Sequence, residues 1–315
     1  MVLAARVIAI DEAVRSAAET KPAPIEIAVR DVSVSYPAGA GARKTVLSHV
    51  DLEIRAGEFV VVLGETGCGK STLLRMVLGQ EFPTSGTIAV DGKMVTRIDA
   101  RCGYVPQKYS LFPDRSMLGN VMYGPENARA QNTKLGWLGR LLPGYRAYKK
   151  QLRYEAEELL QRMGLRAADF HKYPHQLSGG MQQRVAIAQA LMMRPPVLLM
   201  DEAFSALDPA TRASLQQQLK EVWIERKPTV LFVTHNTAEA LLLGTRLVVL
   251  GPHLQESGKS NVLLDMPLPQ SEEPVAKRKQ SREFHELSEF VMRRAYGACA
   301  AQVKEELGGA QGETQ

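Results

Sequence analysis

The chain has 315 residues, 45% apolar and 23% charged, an ordinary balance for a globular protein with a sizeable core. Its 39 Lys and Arg against 34 Asp and Glu leave a formal net charge of +5, too small and too diffuse an excess to argue for nucleic acid. The apolar runs are strand-length, far short of the ~20 residues that span a bilayer, and Cys68, Cys102 and Cys299 show neither metal spacing nor a disulfide framework.

In chain order, residues 1–24 read as a loosely attached leader ending in KPAP. Their short apolar stretch is broken by Arg6 and followed by Asp11 and Glu12, so it lacks the long apolar core of a secretion signal. From Ile25 the pattern alternates as in strands: Ile25, Ile27 and Val29, then Val32, Val34 and Tyr36. Residues 45–54 and 86–95 continue it, the second carrying an Asp91-Gly92 hairpin signal. Fully apolar short runs follow at 197–200, 230–233 and 247–250, which fit parallel strands buried on both faces with helices between them. Helical periodicity falls at 70–79, 152–163, 178–193 and 210–224. Residues 256–281 read as a polar linker and 282–300 as a terminal amphipathic helix with Phe284, Leu287, Phe290 and Val291 on one face. The tail, 301–315, reads as disordered.

Chemistry concentrates first in VVLGETGCGKSTLL (61–74), which matches G-x-x-x-x-G-K-[ST] directly after the apolar run 59–63. The loop Gly64, Glu65, Thr66, Gly67, Cys68 and Gly69 lets backbone N–H groups curl around phosphate oxygens. Lys70 reaches the β/γ-phosphates, Ser71 is placed to ligand Mg²⁺, and Thr72 follows in the first helical turn. Cys68 reads either as a reactive thiol within the loop or, the preferred reading, as a small residue suited to a tight turn. Further on, VLLMDEA (197–203) ends an apolar strand in Asp201, a carboxylate for the Mg²⁺ shell. Glu202 comes next, placed to polarise an attacking water. More than a hundred residues separate Lys70 from Asp201, more than small GTPases or small kinases insert there.

That intervening segment contains LSGGMQQR (177–184), followed by a helix and then the Asp-Glu strand, and here the chain resembles the ATP-binding cassette family. The resemblance runs from about residue 26 to 255: FSALD (204–208) with Asp208 matches the D-loop, His235 in FVTHNTAEA the switch histidine, Gln107 in YVPQ the Q-loop, and Tyr36 in VSVSYP the aromatic that stacks on adenine. It implies an α/β fold: a P-loop NTPase core of the RecA type with an antiparallel β subdomain, in a cassette domain spanning 25–255. An α-helical subdomain is inserted at about 108–194. It also implies ATP hydrolysis with Mg²⁺, with Lys70, Glu202 and His235 catalytic and Ser71, Gln107 and Asp201 on the metal. Ser178, Gly179 and Gly180, a capped helix start that admits an anion, would close on the γ-phosphate of a second subunit. Two departures stand out: Asn236 follows the histidine where the family usually has Asp, and Thr245 occupies another usually acidic position.

One phosphate loop and one signature, without coiled-coil or zinc insertions, are similar to stand-alone cassettes that drive separate membrane subunits. GQEFPTSGTI (79–88), LFPDRSMLGNV (111–121) and the terminal helix look most like the nitrate/sulfonate/taurine importer group, although FPD (112–114) stands where that group often has LPW. The partners so implied are a second copy of the chain, integral membrane permease subunits and a periplasmic solute-binding protein, with no nucleic acid. The location implied is peripheral, on the cytoplasmic side of the cell membrane. An export or extraction ATPase, or a regulatory cassette without a transport partner, remains the alternative. A basic, aromatic insertion at about 130–150 (Lys134, Trp137, Arg140, Tyr145, Arg146, Tyr148, Lys149, Lys150) reads either as a contact with the membrane subunit or lipid headgroups, or as a surface hairpin with a small local core.

Overall fold

The computed structural model describes residues 23–39, 42–108, 111–132, 144–205, 207–252, 259–270 and 273–294. They fall into two compact units, one made of the chain up to Asp99 together with Thr229 onward, the other of Ala100–Pro228.

The first unit contains an antiparallel sheet of β1 (Ile25–Gly39), β2 (Ala42–Arg55), β4 (Ser85–Val90) and β5 (Lys93–Met94) in the order β2-β1-β4-β5. Ile27 and Val29 are buried, and the pattern resumes one residue out of phase at Val32 and Val34. The phase slip is a bulge: the register jumps between Val29 and Val32, and Asp31 takes φ +49°. Asp91 and Gly92, at φ +49° and +68°, form the two-residue hairpin turn between β4 and β5.

Beside this sheet in sequence are the strands β3 (Phe59–Gly64), β8 (Thr229–Thr234) and β9 (Arg246–Leu250), with β3 parallel to both its neighbours. Every residue of β3 and β8 is buried, which is why their sequences are continuous apolar runs rather than alternations. β10 (Val262–Pro267) pairs antiparallel with β9, inside the segment that the sequence reads as a polar linker. The linker expectation is corrected there: β10 is a half-exposed edge strand, so its apolar residues are diluted by Asp265 and Pro267 and its period is weak. Asn261 anchors this return. Its buried side chain accepts from Ser48 N and donates to the carbonyls of Val46 and Gly251.

Helix α1 (Lys70–Leu78) follows β3 and buries Leu73, Leu74, Met76 and Val77. In the second unit β6 (Cys102–Val105) runs parallel to β7 (Val197–Asp201). The same unit has helices α2 (Met117–Asn132), α3 (Tyr145–Arg162), α4 (Gly179–Met192) and α5 (Pro209–Arg226). α2 is absent from the helices expected from periodicity because Gly119, Gly124 and Pro125 weaken its helical signal. It forms anyway: Met117 and Val121 are fully buried, and the buried Asn120 amide binds Phe112 N and the carbonyls of Phe112, Arg115 and Ser116. Back in the first unit, α6 (Thr237–Leu243), α7 (Val275–Arg278) and a helix over 282–294, α8, complete the described residues, α8 burying Phe284 and Val291.

Among the described residues no helix is long and apolar enough to cross a membrane. The leader up to residue 22, the tail 301–315 and residues 133–143 of the basic insertion, with Lys134, Trp137 and Arg140, lie outside the described residues, as does Cys299. In the described part of the insertion, Tyr148 and Lys149 contact α2 of their own unit, while Arg146 and Lys150 are exposed. Tyr148 donates to the Pro125 carbonyl at 3.1 Å, lies under the Arg129 guanidinium at 4.1 Å, and is followed by Lys149 paired with Glu126 at 3.6 Å.

Candidate functional site: a phosphate loop and a strand-end carboxylate pair

In the first unit, β3 delivers the chain to Gly64 at its C-terminal end, and the loop Glu65–Gly69 turns into α1. Gly69 is the N-cap at φ +102°, with no side chain capping the helix. Its hydrogen matters: a Cβ there would lie 2.6 Å from Leu47 Cδ2. The helix start is thus not blocked by a capping side chain at its N-cap, and a start of this kind is open to an anion. Lys70 is 4% exposed and its Nζ donates to the carbonyls of Gly64 (2.8 Å) and Glu65 (2.7 Å). The ammonium is thus drawn across the loop by dipoles of the loop itself. Cys68 Sγ lies 4.0 Å from Nζ; burial pushes its thiol pKa up, against a smaller opposite pull from Lys70. The thiol stays protonated at neutral pH, so Cys68 behaves as the small filler that the turn needs.

Ser71 and Thr72 occupy the first turn of α1. Tyr36, at the end of β1, is 37% exposed, and its hydroxyl donates to Glu81, whose other carboxylate oxygen takes Arg75 Nε at 2.6 Å. Nothing in the motif spacing points to Glu81 or Arg75. The pair is visible only once β1 and the end of α1 are close in space.

His235 stands exposed directly after β8. Asn236, one of the two departures, caps α6: its side chain accepts from Glu239 N at 3.2 Å, a task Asn and Asp perform equally well. Thr245, the other, closes a small circuit at the start of β3, its hydroxyl accepting from Phe59 N at 3.0 Å and donating to Phe59 O at 3.2 Å.

In the second unit β7 is buried throughout and ends in Asp201, 5% exposed. Glu202 follows with φ +45°, a left-handed backbone that a glutamate rarely adopts and that concentrates at functional sites. Its carboxylate accepts from Gln107 Nε2 at 2.9 Å, so these two residues, distant in sequence, are brought together. Ser178 caps α4, its hydroxyl accepting from Met181 N, with Gly179 and Gly180 in the first turn. Asp208 caps α5, accepting from Ala210 N and Thr211 N. Those bonds, the Thr211 side-chain contact first, hold its carboxyl below the usual carboxylate range.

A buried parallel strand, a glycine loop, an uncapped helix start and a lysine spanning the loop define a P-loop nucleoside triphosphatase. Comparison with known proteins narrows the class. A family model described as ABC transporter matches residues 47–205. The chain is 41% identical over 229 residues to the bicarbonate transport ATP-binding protein CmpD of Synechocystis sp., covering 72% of this chain and 75% of that protein. It is 39% identical over 219 residues to the nitrate import ATP-binding protein NrtD of Synechococcus elongatus, covering 70% and 74%. A solved ATP-binding cassette, a dimer in a post-hydrolysis state bound to ADP and Pi, is similar with a TM-score of 0.62 and 29% identity, over 78% of this chain and all of that one. The chain belongs to the ABC transporter family. It is an ATPase of that family and binds ATP in the cassette fold.

Proposed function

We propose that this ATPase powers the import of a small anionic solute through separate membrane subunits, working as a head-to-tail dimer that ATP closes. The similarity to nitrate and bicarbonate transport proteins supports the solute class, because both ions are small planar oxoanions. In this reading Tyr36 stacks on adenine, and the loop Gly64, Glu65, Thr66, Gly67, Cys68 and Gly69 with Lys70, Ser71 and Thr72 holds the phosphates. Ser178, Gly179, Gly180 and Asp208 face the nucleotide of the partner copy. The Ser71 hydroxyl, the Gln107 amide and the Asp201 carboxylate supply oxygen donors of the hard kind that Mg²⁺ takes. Bound there, Mg²⁺ would neutralise charge on the phosphates. The cassette would lie peripherally on the cytoplasmic face of the membrane, with a periplasmic protein delivering the solute to the permease.

The single observation that carries the catalytic part is Glu202. Its carboxylate is the general base of this reading, taking the proton of the attacking water. The left-handed backbone turns Glu202 away from the strand direction of Asp201, and the hydrogen bond from Gln107 fixes its carboxylate. His235 orients the water and contacts the γ-phosphate. Glu202→Gln keeps the shape and loses the base. It is expected to bind ATP, to hydrolyse it at least about a hundredfold more slowly, and to accumulate as a dimer on gel filtration with ATP. Turnover near that of the wild type would remove Glu202 from this role.

A further inference from the structure

Tyr36 is 37% exposed near the helix that follows the phosphate loop, yet its hydroxyl is not left to water. It donates to Glu81, Glu81 accepts Arg75 Nε at 2.6 Å, and Arg75 Nη2 reaches Thr72 Oγ1 at 3.4 Å. Thr72 lies in the first turn of the phosphate-loop helix and also influences the Tyr36 hydroxyl directly. A closed circuit thus runs from the aromatic ring through Glu81 and Arg75 to that helix turn. Both charged members are about a third exposed, so their ion pair adds little to stability. What the pair does supply is direction: an acceptor at one fixed place for the tyrosyl O–H, itself fixed by a two-turn helix.

We propose that Glu81, braced by Arg75, is a positioning residue that holds the Tyr36 ring in the plane where the nucleotide base stacks, so that base and phosphates are gripped in one fixed register. The inference rests on the reading of Tyr36 as the base platform. An aromatic side chain on a strand end swings about its χ1 and χ2 bonds, and stacking on a swinging ring spends part of its energy on ordering it. Tethering the hydroxyl removes that cost before the nucleotide arrives. Burial, and then the Glu81 carboxylate, push the Tyr36 pKa up, so the hydroxyl keeps its proton and remains the donor at neutral pH.

The test separates base from phosphates by measuring the affinity of the full chain for ATP and for inorganic tripolyphosphate, which has no base. Tyr36→Ala is expected to weaken ATP roughly tenfold, within the range of base stacking, and to leave tripolyphosphate unchanged. Unchanged ATP affinity there overturns the platform reading and the inference with it. Given that loss, Tyr36→Phe, which keeps the ring and deletes the tether, and Glu81→Ala are each expected to raise Kd and KM for ATP several-fold without lowering kcat or tripolyphosphate affinity. The double variant should be no worse than either alone. Glu81→Gln keeps an oxygen acceptor and should recover most of the affinity. If Tyr36→Ala weakens ATP while Tyr36→Phe and Glu81→Ala do not, the ring needs no positioning and the inference fails. Equal losses for ATP and tripolyphosphate in Glu81→Ala would overturn it too, by showing that Glu81 acts on the loop.

Discussion

In the first unit α1 starts at Gly69, which brings no capping side chain, whereas in the second α4 and α5 start under Ser178 and Asp208, whose side chains accept from Met181 N and from Ala210 N and Thr211 N. All three starts belong to motif positions, but they are at different stages of satisfaction. The α1 start has no cap side chain, and the nearby ammonium of Lys70 is held on two loop carbonyls. The α5 start already contains its anion, the Asp208 carboxylate. The α4 start lies between: the Ser178 oxygen is used as an acceptor, but its O–H still has a donor to offer. The difference teaches that a helix start whose cap lacks a polar side chain is the stronger indicator of a ligand, and that a capped one contributes through its hydroxyl proton and first-turn backbone.

Four substitutions break or sharpen that contrast. Lys70→Ala removes the ammonium from the uncapped start and should cost roughly a hundredfold in ATP affinity, read by equilibrium titration, with a melting temperature close to that of the wild type. Gly69→Ala places a Cβ against Leu47 at a φ of +102°. It should destabilise the fold by about 1–3 kcal/mol in denaturant unfolding, and reduce ATP binding as the loop shifts. Ser178→Ala deletes one cap and should cost about 1 kcal/mol of stability, whereas Ser178→Gly should cost only a few tenths. Equal ATPase losses in the two variants, despite unequal stability, would identify the hydroxyl proton as what ATP hydrolysis uses.

The smallest effect is the pH dependence at Asp208. Its pKa is lower folded than unfolded, so its contribution is complete above the ordinary aspartate value of about 4 and disappears as pH falls through the lower folded value. Asp208→Asn retains a capping side chain without the charge. The melting-temperature difference between it and the wild type should be constant from neutral pH down to about 5 and shift in favour of the variant below about 4.

Much of this arrangement is legible in the sequence, and the reasons differ by residue. Gly64 to Ser71 can be read because backbone geometry and charge both demand particular residue types at fixed offsets. The strands β3, β7 and β8 can be read because burial on both faces leaves no polar position in their middle. α2 escapes periodicity because Pro125 and two glycines argue against a helix locally, while packing of Met117 and Val121 and the Asn120 bonds decide the matter. Glu81 and Arg75 escape because an exposed ion pair is the commonest surface feature, and only the place of Tyr36 beside it gives it meaning. Thr245 and Asn236 read as departures from a family pattern, and each has a local hydrogen-bonding task that a motif comparison does not reveal.

The antiparallel return through Asn261 and β10 has a practical consequence. The motif-bearing part of the chain ends near residue 255, and a shortened protein cut there would keep every residue of the proposed ATP site. It would, however, strip β9 of its neighbour and leave the backbone groups of Arg246–Leu250 open along one side, and it would take the Asn261 amide away from Val46, Ser48 and Gly251. An open edge of that kind recruits strands from other molecules. The smallest well-behaved version of this cassette therefore extends past Leu268, and yields of soluble protein from a nested series of C-terminal deletions should fall off between residues 268 and 255.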